Sequence, residues 1–166
     1  MKKVFIIISM IAVFAPAVYP QKNLNGVYVK SEKEQIAGIE KMKQVIVDKL
    51  DSYTKIEKYK DSISSKYYFF QDKELKLVVL KTIDNKLEKR VSWYFANGQL
   101  IFSEQIWIDD KTNRIINHEQ FYTHSGHLIA WIKTDNTKED TSSTGFKYID
   151  KNLGAYAEEL IAAAQK

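Results

Sequence analysis

The sequence predicts an α+β domain: a six-stranded antiparallel meander with an N-terminal and a C-terminal helix packed on one face. Apolar residues recur at helical spacing near both ends of the chain, and β-branched and aromatic segments separated by short turns fill the middle. One hairpin motif also appears twice in those segments. Links this short force neighbouring strands to run antiparallel, which gives the meander.

The first 17 residues read as a signal peptide. Lys2 and Lys3 precede an apolar run over residues 4 to 14, and Ala15-Pro16-Ala17 supplies small residues at the positions that a signal peptidase reads. We expect cleavage after Ala17 and a periplasmic or secreted location, with no membrane span after cleavage. The alternative is an uncleaved N-terminal anchor.

The mature chain is expected to have a flexible lead-in over residues 18 to 30 and a single α+β domain over residues 31 to 166. The sequence has no cysteine, so the protein is not expected to be a lipoprotein, and its core has no disulfides to hold it. Loss of Lys2 and Lys3 lowers the formal net charge from +4 to +2. Lysines and glutamates are interleaved, which argues against a nucleic-acid partner.

The first helix is predicted from about Ser31 to Tyr59. The residues at helical spacing are Ile36, Ile39, Met42, Ile46, Leu50, Tyr53 and Ile56. A second amphipathic helix closes the chain, on the spacing of Phe146, Ile149, Leu153, Tyr156, Leu160 and Ala164.

Six strands are predicted between the helices, at residues 66–70, 75–83, 87–95, 100–109, 114–122 and 127–134. Asn97-Gly98 predicts a type I′ hairpin turn, which needs positive φ at both central residues, and Ser125-Gly126 is expected to do the same.

The repeated motif lies around these two turns. "YFANGQLIF" at residues 94–102 returns as "YTHSGHLIA" at 122–130, and a degraded copy, "FFQDKELKL", precedes them at 69–77. The three copies account for the six strands, so the repeat indicates architecture and not a site.

Pairing the strands outward from these turns places Trp93 opposite Phe102 on the face that the helices cover. The other, half-exposed face then carries four aromatic residues that we predict as a candidate binding surface: Tyr94, Trp107, Tyr122 and Trp131. Aromatic side chains with polar atoms are typical of ligand and partner surfaces. The alternative is that they are cross-strand pairs that stabilise the sheet.

The hairpin motif resembles that of exported bacterial proteins of unknown function with tandem "YYFENGKLI"-like repeats after an N-terminal helix. The resemblance rests on residues 94–101 and more weakly on residues 122–129. The hairpin motif is also distantly similar to MORN-type repeats. It implies a hairpin scaffold and no catalytic residues.

The residues that could carry chemistry are sparse. His124 and His127 flank a turn, and His118 lies too far along the strand to share an ion with them, so no metal or cofactor is expected. Glu104 and Glu119 are expected on the apolar face, and either Glu104 pairs with Lys89 or the sheet is open at that point. No hydrolase, phosphate-loop or dinucleotide motif occurs.

We therefore expect an exported, non-enzymatic binding or interaction domain of the bacterial cell envelope, with an unknown protein or small ligand as its partner. The alternative is a small hydrolase or metal-dependent enzyme that uses the histidines or buried carboxylates.

Overall fold

A computed structural model describes residues 30 to 165; the predicted signal peptide and residues 18 to 29 of the lead-in lie outside the described residues. The two helices are α1 (Glu32–Asp48) and α2 (Thr144–Ala164), and a short 3₁₀ turn (Leu50–Ser52) follows α1. The strands are β1 (Thr54–Lys60), β2 (Ser64–Gln71), β3 (Glu74–Asp84), β4 (Leu87–Ala96), β5 (Gln99–Asp109), β6 (Arg114–His124) and β7 (His127–Ile132). Neither described helix is long and apolar enough to cross a membrane.

The strands form one antiparallel sheet in the order β1 to β7, so the predicted meander is confirmed. All six predicted strands are present, as β2 to β7, and a seventh, β1, precedes them.

The first helix is shorter than predicted. It ends at Asp48, and Thr54–Lys60 is strand β1, which pairs with β2. Leu50, Tyr53 and Ile56 continue the helical spacing, but Thr54 and Ile56 also fit strand alternation, and backbone pairing with β2 decides between the two.

A bulge follows the turn in each of the three repeat copies. In the first copy, Phe70 lies opposite Leu75 and Phe69 opposite Leu77, so Lys76 has no partner. Ile101 and Ile129 occupy the same place in the other two copies. The expected pairing of Trp93 with Phe102 is wrong, because the extra residue moves Phe102 opposite Tyr94 and places Ser103 opposite Trp93.

The bulges set which side chains share a face. One cross-strand row comprises Leu77, Tyr94, Phe102, Tyr122 and Ala130, and it packs with Ile39 and Ile46 of α1. The next row comprises Val78, Trp93, Ser103, Phe121 and Trp131. Val78 and Trp93 of this row pack with Ala157 and Leu160 of α2.

Because neighbouring rows point to opposite faces of a sheet, α1 and α2 cover opposite faces. The prediction that both helices pack on one face is wrong. We call the two sides of the sheet the α1 face and the α2 face.

The second helix begins with a capped first turn. The side-chain oxygen of Ser143 accepts a hydrogen bond from the Phe146 backbone N–H at 3.0 Å, which caps the first turn. Phe146 then packs with Phe121 and Leu128, which fixes the N-terminal end of α2 on the sheet.

Candidate functional site

The structure does not bring the four predicted aromatic residues together. Tyr94 and Tyr122 lie on the α1 face and are buried, at 6% and 5% exposure. Trp131 belongs to the cross-strand row on the α2 face, and Trp107 lies four residues beyond Ser103 on the same side of β5. The expectation of one half-exposed aromatic face is therefore wrong, and the bulges are the reason.

Tyr94 and Tyr122 direct their hydroxyl groups to carboxylates on the α1 face. Tyr94 donates a hydrogen bond to Glu104 at 2.9 Å, and Tyr122 donates one to Glu40 of α1 at 2.7 Å. Burial, followed by the nearby Glu104 carboxylate, raises the pKa of Tyr94 above its usual range. Burial and the hydrogen bond to Glu40 raise the pKa of Tyr122 in the same way. Both hydroxyls are therefore held in the neutral, donating form.

Lys43 of α1 lies between these two carboxylates. Its Nζ is 3.8 Å from Glu40 and 3.9 Å from Glu104, and it lies 4.1 Å from the centre of the Phe102 ring. The other oxygen of Glu104 lies 3.4 Å from Nε2 of His118. The prediction that Glu104 pairs with Lys89 is wrong, since its partners are Tyr94, His118 and Lys43.

These side chains form a polar cluster between α1 and the sheet. The Glu104 side chain is only 13% exposed, and both of its oxygens are engaged. A buried carboxylate needs such partners, because an unpaired one would be expensive to remove from water. Glu119 lies opposite Gln105, on the α2 face, so the two glutamates do not share a face as expected.

Trp131 and Trp107 are both partly buried on the α2 face. The Trp131 ring lies 5.5 Å from that of Phe121, and its buried Nε1 has no hydrogen-bond partner among residues 30 to 165. Lys89 lies 5.3 Å from the centre of the Trp107 ring, a cation–π contact. A binding role for these two residues stays a prediction. The same role for Tyr94 and Tyr122 would require α1 to uncover them.

His124 and His127 are cross-strand partners as predicted, and Nδ1 of His127 lies 3.7 Å from Asp150 of α2. Within the described range, no three His, Cys, Asp or Glu side chains are grouped so that they could hold a metal ion.

A cavity of about 610 Å³ opens on the α2 face, and we call it the turn-end cavity. It lies between β1, the first two repeat turns and the C-terminal end of α2. Its apolar lining consists of Ile56, Phe70, Leu75, Phe95, Ile161 and Ala164. Its polar lining consists of Thr54, Lys73, Glu74 and Gln165. Binding sites for small molecules commonly enclose about 300–1,000 Å³ and are mostly apolar with a few polar groups.

The sequence contains part of the signal for this cavity. Phe70 and Phe95 precede equivalent repeat turns and Leu75 follows one, so the repeat places them side by side. The contributions of β1 and of the end of α2 depend on tertiary packing, and no local pattern indicates them. None of the four predicted aromatic residues lines the cavity.

No protein-family model, curated protein or solved structure matches the chain. The resemblance to exported hairpin-repeat proteins therefore stays a prediction from the motif alone.

Proposed function

We propose that this protein is an exported, non-enzymatic binding domain of the bacterial cell envelope that takes a small apolar ligand in the turn-end cavity. The observation that supports the proposal is the size of the cavity together with its lining of aromatic and aliphatic side chains. Ile56 of β1 and Phe70 of β2 form part of the wall, and the fully buried Phe95 of β4 lies behind it, so the cavity is built mainly on the sheet. A preformed apolar wall lowers the ordering cost of binding.

Export is proposed on the sequence of residues 1 to 17, with their basic start, apolar run and small residues before the expected cleavage site. An envelope or secreted protein meets apolar and amphiphilic molecules in its surroundings, which agrees with an apolar cavity.

Catalysis has weaker support. The titratable groups that converge in this fold, Glu104, His118 and Tyr94, lie on the α1 face, while the turn-end cavity lies on the α2 face. The oxygens of Glu104 are already engaged by neighbouring side chains, which leaves this carboxylate badly placed to act as a general base.

The test is to fill the cavity. Ala164 lines it, whereas Ala163 is exposed on the same helical turn and does not. We expect the neutral fluorescent probe N-phenyl-1-naphthylamine to bind the protein, Ala164→Trp to abolish this binding and Ala163→Trp to leave it unchanged.

Thermal unfolding of both variants checks that the fold is kept. If the parent does not bind the probe, or if Ala164→Trp binds as well as the parent does while folded, the proposal fails. Loss of binding in both variants would place the probe elsewhere on the protein and would also contradict it.

A further inference from the structure

The charges around the turn-end cavity carry an inference about its ligand, which rests on the proposed function. Two charged side chains line the cavity among the described residues, Lys73 and Glu74. Only one of them is available to a ligand.

Glu74 is already neutralised within the protein. Its carboxylate forms an ion pair with Lys76 at 2.8 Å and accepts a hydrogen bond from the Asn97 backbone N–H at 3.0 Å. These contacts, led by that with Lys76, lower the pKa of Glu74, so it stays ionised and paired. A cationic ligand would have to compete with Lys76 for it.

Lys73 differs from Glu74 in having no ion-pair partner among the described residues. It forms no ion pair with any residue between 30 and 165 and is exposed. Its backbone is fixed in the left-handed region at φ 71°, as the second central residue of the first repeat turn, so the turn holds it at the edge of the cavity. Its neighbour Asp72 does not line the cavity.

The C-terminal end of α2 also borders the cavity and contributes a partial negative charge of about half an elementary charge. That is smaller than the full positive charge of Lys73. With Glu74 and Lys76 cancelling, the local balance favours a negative group on the ligand.

We propose that the turn-end cavity binds an anionic amphiphile, an alkyl chain that lies against Ile56, Phe70 and Ile161 with a carboxylate or phosphate head group at Lys73. The apolar wall supplies affinity for the chain, and the lysine selects the sign of the head group.

The test measures displacement of the neutral probe from the full chain by four ligands with the same twelve-carbon tail: dodecanoate, dodecyl phosphate, dodecyltrimethylammonium and dodecyl maltoside. All are kept below their micelle concentrations. We expect the anions to displace the probe at the lowest concentrations. The first two ligands then separate a carboxylate head group from a phosphate.

Charge reversal of Lys73 gives the matched comparison. Lys73→Glu should weaken the anionic ligands about fivefold or more, tighten the cationic one, and leave the maltoside unchanged. Lys86→Glu is the control, because Lys86 has nearly the same backbone conformation (φ 75°) in the turn between β3 and β4 and lies outside the cavity. It should leave all four affinities unchanged.

The outcomes separate the two proposals. Equal displacement by all four ligands, or an effect of Lys73→Glu no larger than that of Lys86→Glu, overturns the head-group assignment and leaves an apolar cavity. Tighter binding of the cation by the parent also overturns it. If the parent never binds the probe, the binding function itself fails.

Discussion

Single residues decide the chemistry of the α1 face. Tyr94 and Tyr122 occupy the row that α1 covers, and each hydroxyl finds a carboxylate there, Glu104 or Glu40. The sequence analysis predicted that the hydroxyl groups of both tyrosines face solvent on a half-exposed surface. The structure buries them instead. Buried tyrosine hydroxyls usually find a partner, and here α1 supplies one of the two.

The raised pKa of Tyr94 predicts how stability responds to alkaline pH. Near pH 10 and above, the unfolded chain loses the tyrosine proton while the folded protein keeps it. The unfolded state then binds fewer protons than the native state, so the free energy of unfolding falls as pH rises. Tyr94→Phe removes the contribution of Tyr94 to this dependence and also removes a hydrogen bond to a carboxylate, at a cost of about 2 kcal/mol at pH 7.

We therefore expect the difference in unfolding free energy between parent and Tyr94→Phe to be largest at pH 7 and to shrink above about pH 10. Urea unfolding at pH 7, 9, 10.5 and 11 measures it. Tyr148→Phe, at a position that is 66% exposed, is the control and should follow the parent. A constant difference across this range would contradict the assigned cause.

Turn residues were predictable only where their identity is distinctive. Asn97 and Gly98 have φ of 52° and 71°, so the positive φ values expected of a type I′ turn are confirmed. Asp72-Lys73 and Asn85-Lys86 adopt similar values. Lysine does not favour this region, so only the alignment of the degraded repeat copy indicated that Asp72-Lys73 matches the glycine turn, and nothing indicated it for Asn85-Lys86.

At the scale of elements, the bulge is the feature that sequence reasoning missed. Alternation of apolar residues predicts which residues share a face only while the ladder is regular, and one extra residue reverses the assignment beyond it. Lys76, Ile101 and Ile129 share no residue type that marks a bulge. Because the three copies share one motif, a bulge in one copy is expected in the other two.

The bulge predicts that two single-residue deletions in β3 destabilise the protein to different extents. Removing Lys76 leaves Leu75 opposite Phe70 and Leu77 opposite Phe69, so the ladder becomes regular with the same partners. The deletion loses the ion pair with Glu74, which is about 0–1 kcal/mol for a partly exposed pair.

Removing Lys81 should be far more damaging. Lys81 pairs with both Ser65 and Arg90, so its loss slips Thr82–Asp84 by one residue and exchanges their faces. Thermal unfolding of the two single-lysine deletions measures the difference. A loss of melting temperature for the Lys76 deletion as large as that for the Lys81 deletion would contradict the prediction.

Strand β1 shows a second limit at this scale. All seven of its residues are exposed, so it carries no buried face whose period could distinguish it from a helix. Its position is set by backbone pairing with β2, which depends on partners distant in sequence.

At the scale of the whole molecule, the sequence predicted the fold class, the meander and both helices, and it missed that the sheet is covered on both sides. Composition favours one covered face, since polar and aromatic residues mix on the other. Two polar side chains of the α1 face pair with residues of α1 instead of facing water, Glu104 with Lys43 and Tyr122 with Glu40. Only the strand register across the bulges shows that both faces of the sheet are covered.

Because the two cores share one sheet, we expect both helices to unfold in a single transition. The rows that pack on α1 and on α2 alternate along the same strands, so opening one core removes support from the other. All three tryptophans, Trp93, Trp107 and Trp131, lie on the α2 face, and their fluorescence reports that side alone. The chain has no cysteine, so Ile46→Cys places a single thiol under α1, where Ile46 is 4% exposed.

In this variant, we expect the urea midpoint for thiol labelling to coincide with the midpoint for tryptophan fluorescence. Val45→Cys is the control for the reagent, because Val45 is 51% exposed and its thiol should react at every urea concentration. Reaction of Cys at position 46 while the fluorescence is still native would mean that α1 detaches first. In that case Tyr94, Tyr122 and Glu104 would become accessible without unfolding of the α2 face, and a binding role for the two tyrosines would gain its first physical basis.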